Sequence, residues 1–175
     1  MQNEVHRINL HSFYFDWLLQ SSRYKFNEAE FISERASFEA LNTLIKEDSA
    51  GELCFAVGHE HIGEFWKSGD LWHKSSDYTR KIKLETVLKE VGLSEKRYVQ
   101  YMELFKVTGS HRVSHCKEIG WSRIIMAASG LGISGCLTSI NINDNLSVPE
   151  SDITESYSSE ITPIVDGWYL SLIHI

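Results

Sequence analysis

The placement of proline is the feature that most constrains how this chain can fold. The 175 residues include only two prolines, Pro149 and Pro163, so the first 148 residues contain none. Because proline removes a backbone donor and clashes inside a helix, its absence permits long uninterrupted helices. Hydrophobic residues make up 42% of the chain, which is enough to build a core and argues against global disorder.

Apolar residues recur at helical steps through most of this proline-free region. One pattern also carries a start signal, because Asn27 can cap a helix whose first turn holds Glu28 and Glu30. The sequence therefore predicts an all-α fold. The predicted helices cover residues 6–20, 27–47, 49–67, 78–91 and 95–106, with a last helical pair over 113–131 that breaks near Gly120.

Composition divides the chain into four predicted regions. Residues 1–70 form an N-terminal helical region, and residues 71–137 form a helical module that contains a helix-turn-helix. Residues 138–169 are rich in Ser, Asn, Asp, Glu and Thr, which predicts an exposed acidic tail with the composition of a disordered segment. Residues 170–175 form the fourth region.

These last six residues, Leu-Ser-Leu-Ile-His-Ile, match in frame the translation of a transposon end used as a sequencing adapter. We therefore predict that they are not native and that the natural C-terminus is missing, and we exclude them from the fold prediction. The alternative is an ordinary apolar tail.

Charge is distributed unevenly along the chain, whose net charge is −7. Residues 1–76 contain seven basic and twelve acidic residues, and residues 130–175 contain no basic and six acidic residues. Residues 77–129 contain ten basic and six acidic residues and are the only basic part. A basic block inside an acidic chain is typical of a module that contacts phosphates, although a solvated helical surface gives the same count.

The segment from Val87 to Val107 predicts a helix-turn-helix within this block. Gly92 can adopt the left-handed conformation of a tight turn, Leu93 can fill the angle between two helices, and Ser94 can cap the second helix. In such a motif the start of the second helix enters the major groove of DNA. We predict that Arg97 reads guanine and Gln100 reads adenine, with Ser94 and Lys96 on phosphates. The full set of predicted DNA contacts is Arg80, Lys81, Lys83, Ser94, Glu95, Lys96, Arg97, Gln100 and Arg123.

The run from Leu71 to Ala128 resembles a group of small phage- and plasmid-borne helix-turn-helix proteins. The resemblance lies in GLSEKRYVQYMELF, which fits GLSxxxYxxYxxxF, and in Gly120-Trp121-Ser122-Arg123, which fits GWS followed by Lys or Arg. It covers about a third of the chain, and neither residues 111–115 nor the region after Gly130 matches. Most of these proteins are uncharacterised, and the resemblance implies DNA binding in the manner of partition and replication regulators.

The cysteines and histidines predict neither an enzyme nor a metal site. Cys54, Cys116 and Cys136 are odd in number and far apart, which favours reduced thiols in a cytoplasmic protein, and residues 1–9 are too polar for a signal peptide. His59 and His61 would point to different sides of a helix. His115 cannot act as the base for the adjacent Cys116, so we predict no catalytic residue, no metal and no cofactor.

The predicted function is that of a sequence-specific DNA-binding regulator of phage or plasmid type, which acts on double-stranded DNA as a dimer. The alternative is an acidic protein-interaction module or phage-encoded inhibitor that does not bind DNA, because the chain outside residues 77–129 carries a charge of −11. The DNA-binding hypothesis requires that Lys96 and Arg97 are uncovered.

Overall fold

The fold is an antiparallel β-sheet covered by helices on one face, which corrects the all-α prediction. The computed structural model describes residues 26–49, 53–129, 135–153 and 158–174. Within these residues the chain forms four helices and one eleven-stranded sheet. The helices are α1 (Glu28–Ser33), α2 (Arg35–Asp48), α3 (Leu84–Glu90) and α4 (Glu95–Thr108).

The strands follow one another along the chain as two groups separated by α3 and α4. The first group is β1 (Cys54–Gly58), β2 (His61–Ile62), β3 (Phe65–Ser68), β4 (Leu71–Lys74) and β5 (Asp77–Ile82). The second is β6 (Arg112–Cys116), β7 (Trp121–Ser129), β8 (Cys136–Asn143), β9 (Asp152–Ile153), β10 (Ser158–Pro163) and β11 (Trp168–His174).

The order of strands across the sheet is β5-β4-β3-β2-β1-β6-β7-β8-β11-β10-β9, and all neighbours are antiparallel. The two groups meet where β1 pairs with β6, with Val57 opposite Val113 and Gly58 opposite Arg112. Strand β11 enters the sheet between β8 and β10. The first group is therefore a meander in which β1 to β5 are neighbours in chain order. The second group extends the sheet on the other side of β1.

The core lies between the sheet and helices α2 and α4. Phe38, Leu41 and Ile45 of α2 are at most 3% exposed, and α2 packs on β1, β6 and β7. Tyr101 and Phe105 of α4 are buried in the same layer. Apolar burial of this extent is the main favourable term in folding, so the helices and the sheet stabilise each other.

The predicted helix over residues 49–67 is wrong, because this segment forms strands β1 to β3. Phe55 and Val57 are buried while Cys54 is exposed and Ala56 is half-buried, which is the period of two that places alternate side chains on one face of a sheet. Gly63, with φ +54, turns β2 into β3. The same apolar residues also fit a helical spacing, which explains the error.

The predicted helical pair over residues 113–131 is wrong for the same reason. Val113 and His115 alternate with half-exposed neighbours in β6, and Ser122, Ile124 and Met126 share the core side of β7. The predicted helix over 78–91 is present only as α3, because residues 77–82 form β5 instead.

The predicted acidic tail over residues 138–169 is also wrong, because it contributes strands β8 to β10 and the start of β11. Its polar residues misled the prediction, since Ser139 and Asn141 are at most 1% exposed. The two side chains satisfy each other, with Asn141 Nδ2 donating to Ser139 O and Oγ, each at 3.1 Å. Buried polar groups with partners of this kind are compatible with a sheet interior.

Two of the predicted helices are present. Residues 27–47 form α1 and α2, which break at Glu34, and Asn27 caps α1 by accepting hydrogen bonds from Ala29 N and Glu30 N. Residues 95–106 fall within α4. The predicted helix over 6–20 lies outside the described residues.

The segment assigned to a sequencing adapter is part of the sheet. Leu170 to His174 pair with β8 on one side and β10 on the other. Leu170 and Ser171 are 7% and 3% exposed. Excluding these residues from the fold was therefore wrong as a structural prediction, while the adapter origin stays a prediction.

The cysteines differ from the prediction of reduced thiols. Cys54 of β1 and Cys116 of β6 are directly opposite each other and form a disulfide, while Cys136 is buried with its Sγ 2.9 Å from Nδ1 of His174. The sequence did not predict this disulfide, because the two cysteines are 62 residues apart and only the pairing of β1 with β6 brings them together.

The longest helices of the described part have 14 residues, and none is long and apolar enough to cross a membrane.

Candidate functional site

The local geometry around Gly92 has the turn and cap that the sequence indicated. Gly92 has φ +75, Leu93 is 8% exposed, and Ser94 Oγ accepts a hydrogen bond from Arg97 N at 3.1 Å. The helix-turn-helix interpretation is nevertheless wrong. Helices α3 and α4 are the connection between β5 and β6, and they are part of a layer of helices on a β-sheet: α4 packs on α2 and β1, and α3 packs on β4.

Arg97 is engaged with carboxylates at the C-terminal end of α2. Its guanidinium forms ion pairs with Glu47 and with Asp48, the latter at 3.0 Å between Nε and Oδ2. Asp48 also accepts a hydrogen bond from the Tyr101 hydroxyl at 2.7 Å. The hydrogen bonds and charges of these carboxylates, Glu47 first, raise the pKa of Arg97. Arg97 therefore does not offer the free guanidinium that hydrogen bonding to a base requires.

The other predicted DNA contacts do not converge on one surface. Glu95, Lys96 and Gln100 are exposed on α4. Arg80 and Lys81 are exposed on β5, with Lys83 next to it, whereas Arg123 lies on β7 and is held by a 3.3 Å hydrogen bond from Nε to Asn141 Oδ1. Six strand spacings separate β5 from β7, or about 30 Å along the sheet.

A cavity of about 510 Å³ lies where β1 turns into β2, beside the start of β6 and the end of β7. Cavities of this size hold small organic ligands. Its lining combines a guanidinium, three imidazoles, an indole, a carboxylate and small apolar side chains. The lining residues are Gly58, His59, Glu60, His61, Trp66, His111, Arg112, Ile125, Ala127 and Ala128.

Gly58 allows the two strands that carry the cavity to approach each other. A Cβ at this position would lie 2.8 Å from both Arg112 Cβ and the carbonyl oxygen of His111. The turn after Gly58 is tied to the same loop, because His59 N donates to His111 O at 3.2 Å. His111 N donates in turn to Ile125 O at 2.8 Å, which fixes the floor of the cavity.

Arg112 is the central charged group of the cavity. It lies opposite Gly58 in β1 and opposite Ile125 in β7. The next pair along, Val57 and Val113, is buried under the helices, so alternation directs Arg112 to the other face of the sheet. Its side chain is half-buried, and burial lowers the pKa of its guanidinium. Among the described residues it has no ion-pair partner, although Glu60 lines the same cavity.

The aromatic groups of the cavity lie in two pairs of neighbouring rings, one tilted and one edge-to-face. The rings of His61 and Trp66 are 4.1 Å apart, and the guanidinium carbon of Arg112 is 5.9 Å from the Trp66 ring centre. The His59 ring lies 6.2 Å from that of His111. Burial lowers the pKa of His59, and it lowers that of His61 to about 4 with a further contribution from Arg112. Both imidazoles are therefore neutral at pH 7.

The buried Nδ1 of His61 has no hydrogen-bond partner within the described part of the chain. A buried nitrogen of this kind costs free energy until it is paired, so a polar ligand atom could stabilise it. Among the described residues no three His, Cys, Asp or Glu side chains are grouped as metal ligands would be. The cavity therefore offers recognition groups for an anion and for a ring.

His115 and Cys116, which the sequence placed side by side, have separate structural roles. Cys116 is in the disulfide, and the His115 ring is buried with Nδ1 3.0 Å from Ser122 Oγ. Sequence reasoning considered His59 and His61, but only as metal ligands. It missed Arg112 because its role depends on the pairing of β6 with both β1 and β7.

Comparison of the chain with protein-family models, curated proteins and solved structures finds no match.

Proposed function

We propose that this protein binds a small organic monoanion, of the carboxylate class, in the cavity around Arg112. The observation that carries the proposal is a half-buried guanidinium with no ion-pair partner among the described residues. Burying a charge is costly unless the charge is paired. An anionic ligand would supply the missing partner.

The charges of the cavity favour a single negative charge on the ligand. Arg112 is the one Lys or Arg side chain among the residues that line the cavity, and Glu60, which also lines it, repels a second negative charge. The planar guanidinium matches a carboxylate through two parallel hydrogen bonds. Ile125, Ala127 and Ala128 provide an apolar wall for the rest of the ligand.

The replacement Arg112→Gln is expected to weaken binding of an apolar carboxylate by at least about tenfold, because it removes a charge-assisted hydrogen bond. Isothermal titration with benzoate and cyclohexanecarboxylate measures this effect, with inorganic sulfate as the doubly charged comparison. The matched control is Arg80→Gln, since Arg80 is an exposed arginine of β5 with no ion pair to a described residue. Equal affinity in Arg112→Gln and the parent chain would refute the proposal.

DNA binding is the second candidate function. It is favoured by four exposed cations, Arg80, Lys81, Lys83 and Lys96, that make no ion pair with described residues. Two features weigh against it: the pairing of Arg97 with α2, and the distance of Arg123 from β5. The candidate function is therefore binding of these four cations to DNA phosphates, without base reading by α4.

A gel-shift assay tests this candidate. If the chain binds duplex DNA through these cations, the shift weakens as salt rises, because phosphate contacts release counterions. Lys81→Ala combined with Lys96→Ala should then reduce the shift, and Lys106→Ala, in the last turn of α4, is the control. A chain that gives no shift even at low salt does not bind DNA in this way. Action as a dimer stays a prediction.

The cytoplasmic location also stays a prediction. The Cys54–Cys116 disulfide weighs against it, because structural disulfides persist mainly in oxidising compartments.

A further inference from the structure

We infer that the ligand of the Arg112 cavity is an aromatic carboxylate whose ring stacks on Trp66. This inference rests on the proposed anion binding and adds the class of group to which the carboxylate is attached. It depends on three observations: the fixed orientation of Trp66, its position beside Arg112, and the small side chains of the opposite wall.

Trp66 is held rigidly although it is exposed. Its indole Nε1 donates to Ser75 Oγ at 3.0 Å, and that hydroxyl donates to the carbonyl of Glu64 at 2.9 Å. The residue nevertheless remains 40% exposed. A tryptophan that is fixed in orientation and still partly exposed loses little conformational freedom when a ring binds, which is what makes aromatic side chains effective in binding sites.

Trp66 lies beside Arg112, so that a single ligand can place its ring on the indole and its negative charge on the guanidinium. The indole already stacks on His61 at 4.1 Å, and Arg112 lies 5.9 Å from its centre. A carboxylate bonded to Arg112 would therefore hold its attached ring next to the indole. Offset stacking between aromatic rings adds to the free energy gained from buried area.

The part of the cavity lining that β7 contributes is apolar. Strand β7 is irregular between Ile125 and Ala127, where its register with β8 shifts. Irregularities of this kind change the direction of side chains along a strand. Here Ile125, Ala127 and Ala128 all line the cavity, and the two alanines leave room for a flat ring.

Benzoate and cyclohexanecarboxylate test the inference, because they carry the same carboxylate on rings of similar size and only benzoate is aromatic. Titration calorimetry of the full chain should show about three- to tenfold tighter binding of benzoate, the factor expected for one aromatic pair. Trp66→Leu should bring the two affinities together, whereas Trp66→Phe should keep the preference for benzoate. Tyr78→Leu is the control, since Tyr78 is a 67% exposed aromatic residue outside the cavity.

The titrations distinguish failure of the aromatic inference from failure of the proposed anion binding. Equal binding of the two ligands by the parent chain, with loss of both in Arg112→Gln, would overturn the aromatic inference and leave anion binding intact. A preference for benzoate that survives in Trp66→Leu would also overturn it. If neither ligand binds, the proposed function and this inference fall together.

Discussion

Deletion of residues 170–175 is expected to lower the free energy of unfolding by more than about 3 kcal/mol, or to prevent folding. The deletion removes most of β11, which lies between β8 and β10 and is hydrogen-bonded to both. It also removes the buried side chains of Leu170 and Ser171. Strands β9 and β10 would lose their only connection to the rest of the described sheet. Urea unfolding followed by circular dichroism measures the effect.

The control for this deletion is removal of residues 174–175 alone. His174 is exposed and lies at the end of the strand, so this shorter deletion should cost less than about 1 kcal/mol. A chain that ends at Tyr169 and unfolds at the same urea concentration as the parent would contradict the role assigned to β11. Whatever the origin of the last six codons, the sheet requires a strand between β8 and β10.

The replacement Asp48→Ala is expected to destabilise the chain by about 2–3 kcal/mol, because it leaves a buried hydroxyl without an acceptor. Tyr101 is fully buried and donates its hydroxyl to Asp48 at 2.7 Å. Burial and this hydrogen bond raise the pKa of Tyr101, so the phenol stays protonated and needs its acceptor. The Asp48 side chain is only 13% exposed and also pairs with Arg97. Chemical denaturation measures the loss.

Glu47→Ala is the matched control, because Glu47 pairs with the same arginine but its side chain is 56% exposed. An exposed ion pair of this kind contributes at most about 1 kcal/mol. Adding Tyr101→Phe to Asp48→Ala should recover part of the lost stability, since it removes the unpaired hydroxyl. If Asp48→Ala costs no more than Glu47→Ala, the buried hydrogen bond does not contribute as described.

Predictions based on neighbouring residues agreed best with the structure. Asn27 caps α1, Ser94 caps α4, and Gly92 takes the left-handed conformation before that cap. Each of these features depends on backbone groups within three or four positions, so a short stretch of sequence contains all the information required.

The sheet could not be predicted from the same signals. The apolar residues of 49–67 and 113–131 fit a period of 3.6 as well as a period of two, and periodicity alone does not separate the two readings in short segments. The buried Ser139 and Asn141 made β8 look like a solvated tail, because their burial depends on neighbours that are distant in sequence. Propensity is a weak guide when tertiary contacts decide the outcome.

By itself, the sequence determined the turn at Gly92, where α1 and α4 begin, and which part carries the positive charge. Only the tertiary structure decided that Cys54 meets Cys116, that Arg97 is neutralised by Asp48, and that Arg112 lies beside Trp66. The reason is physical. Helical hydrogen bonds close within four residues, whereas Asp48 and Arg97 are separated by 49 residues and Cys54 and Cys116 by 62 residues.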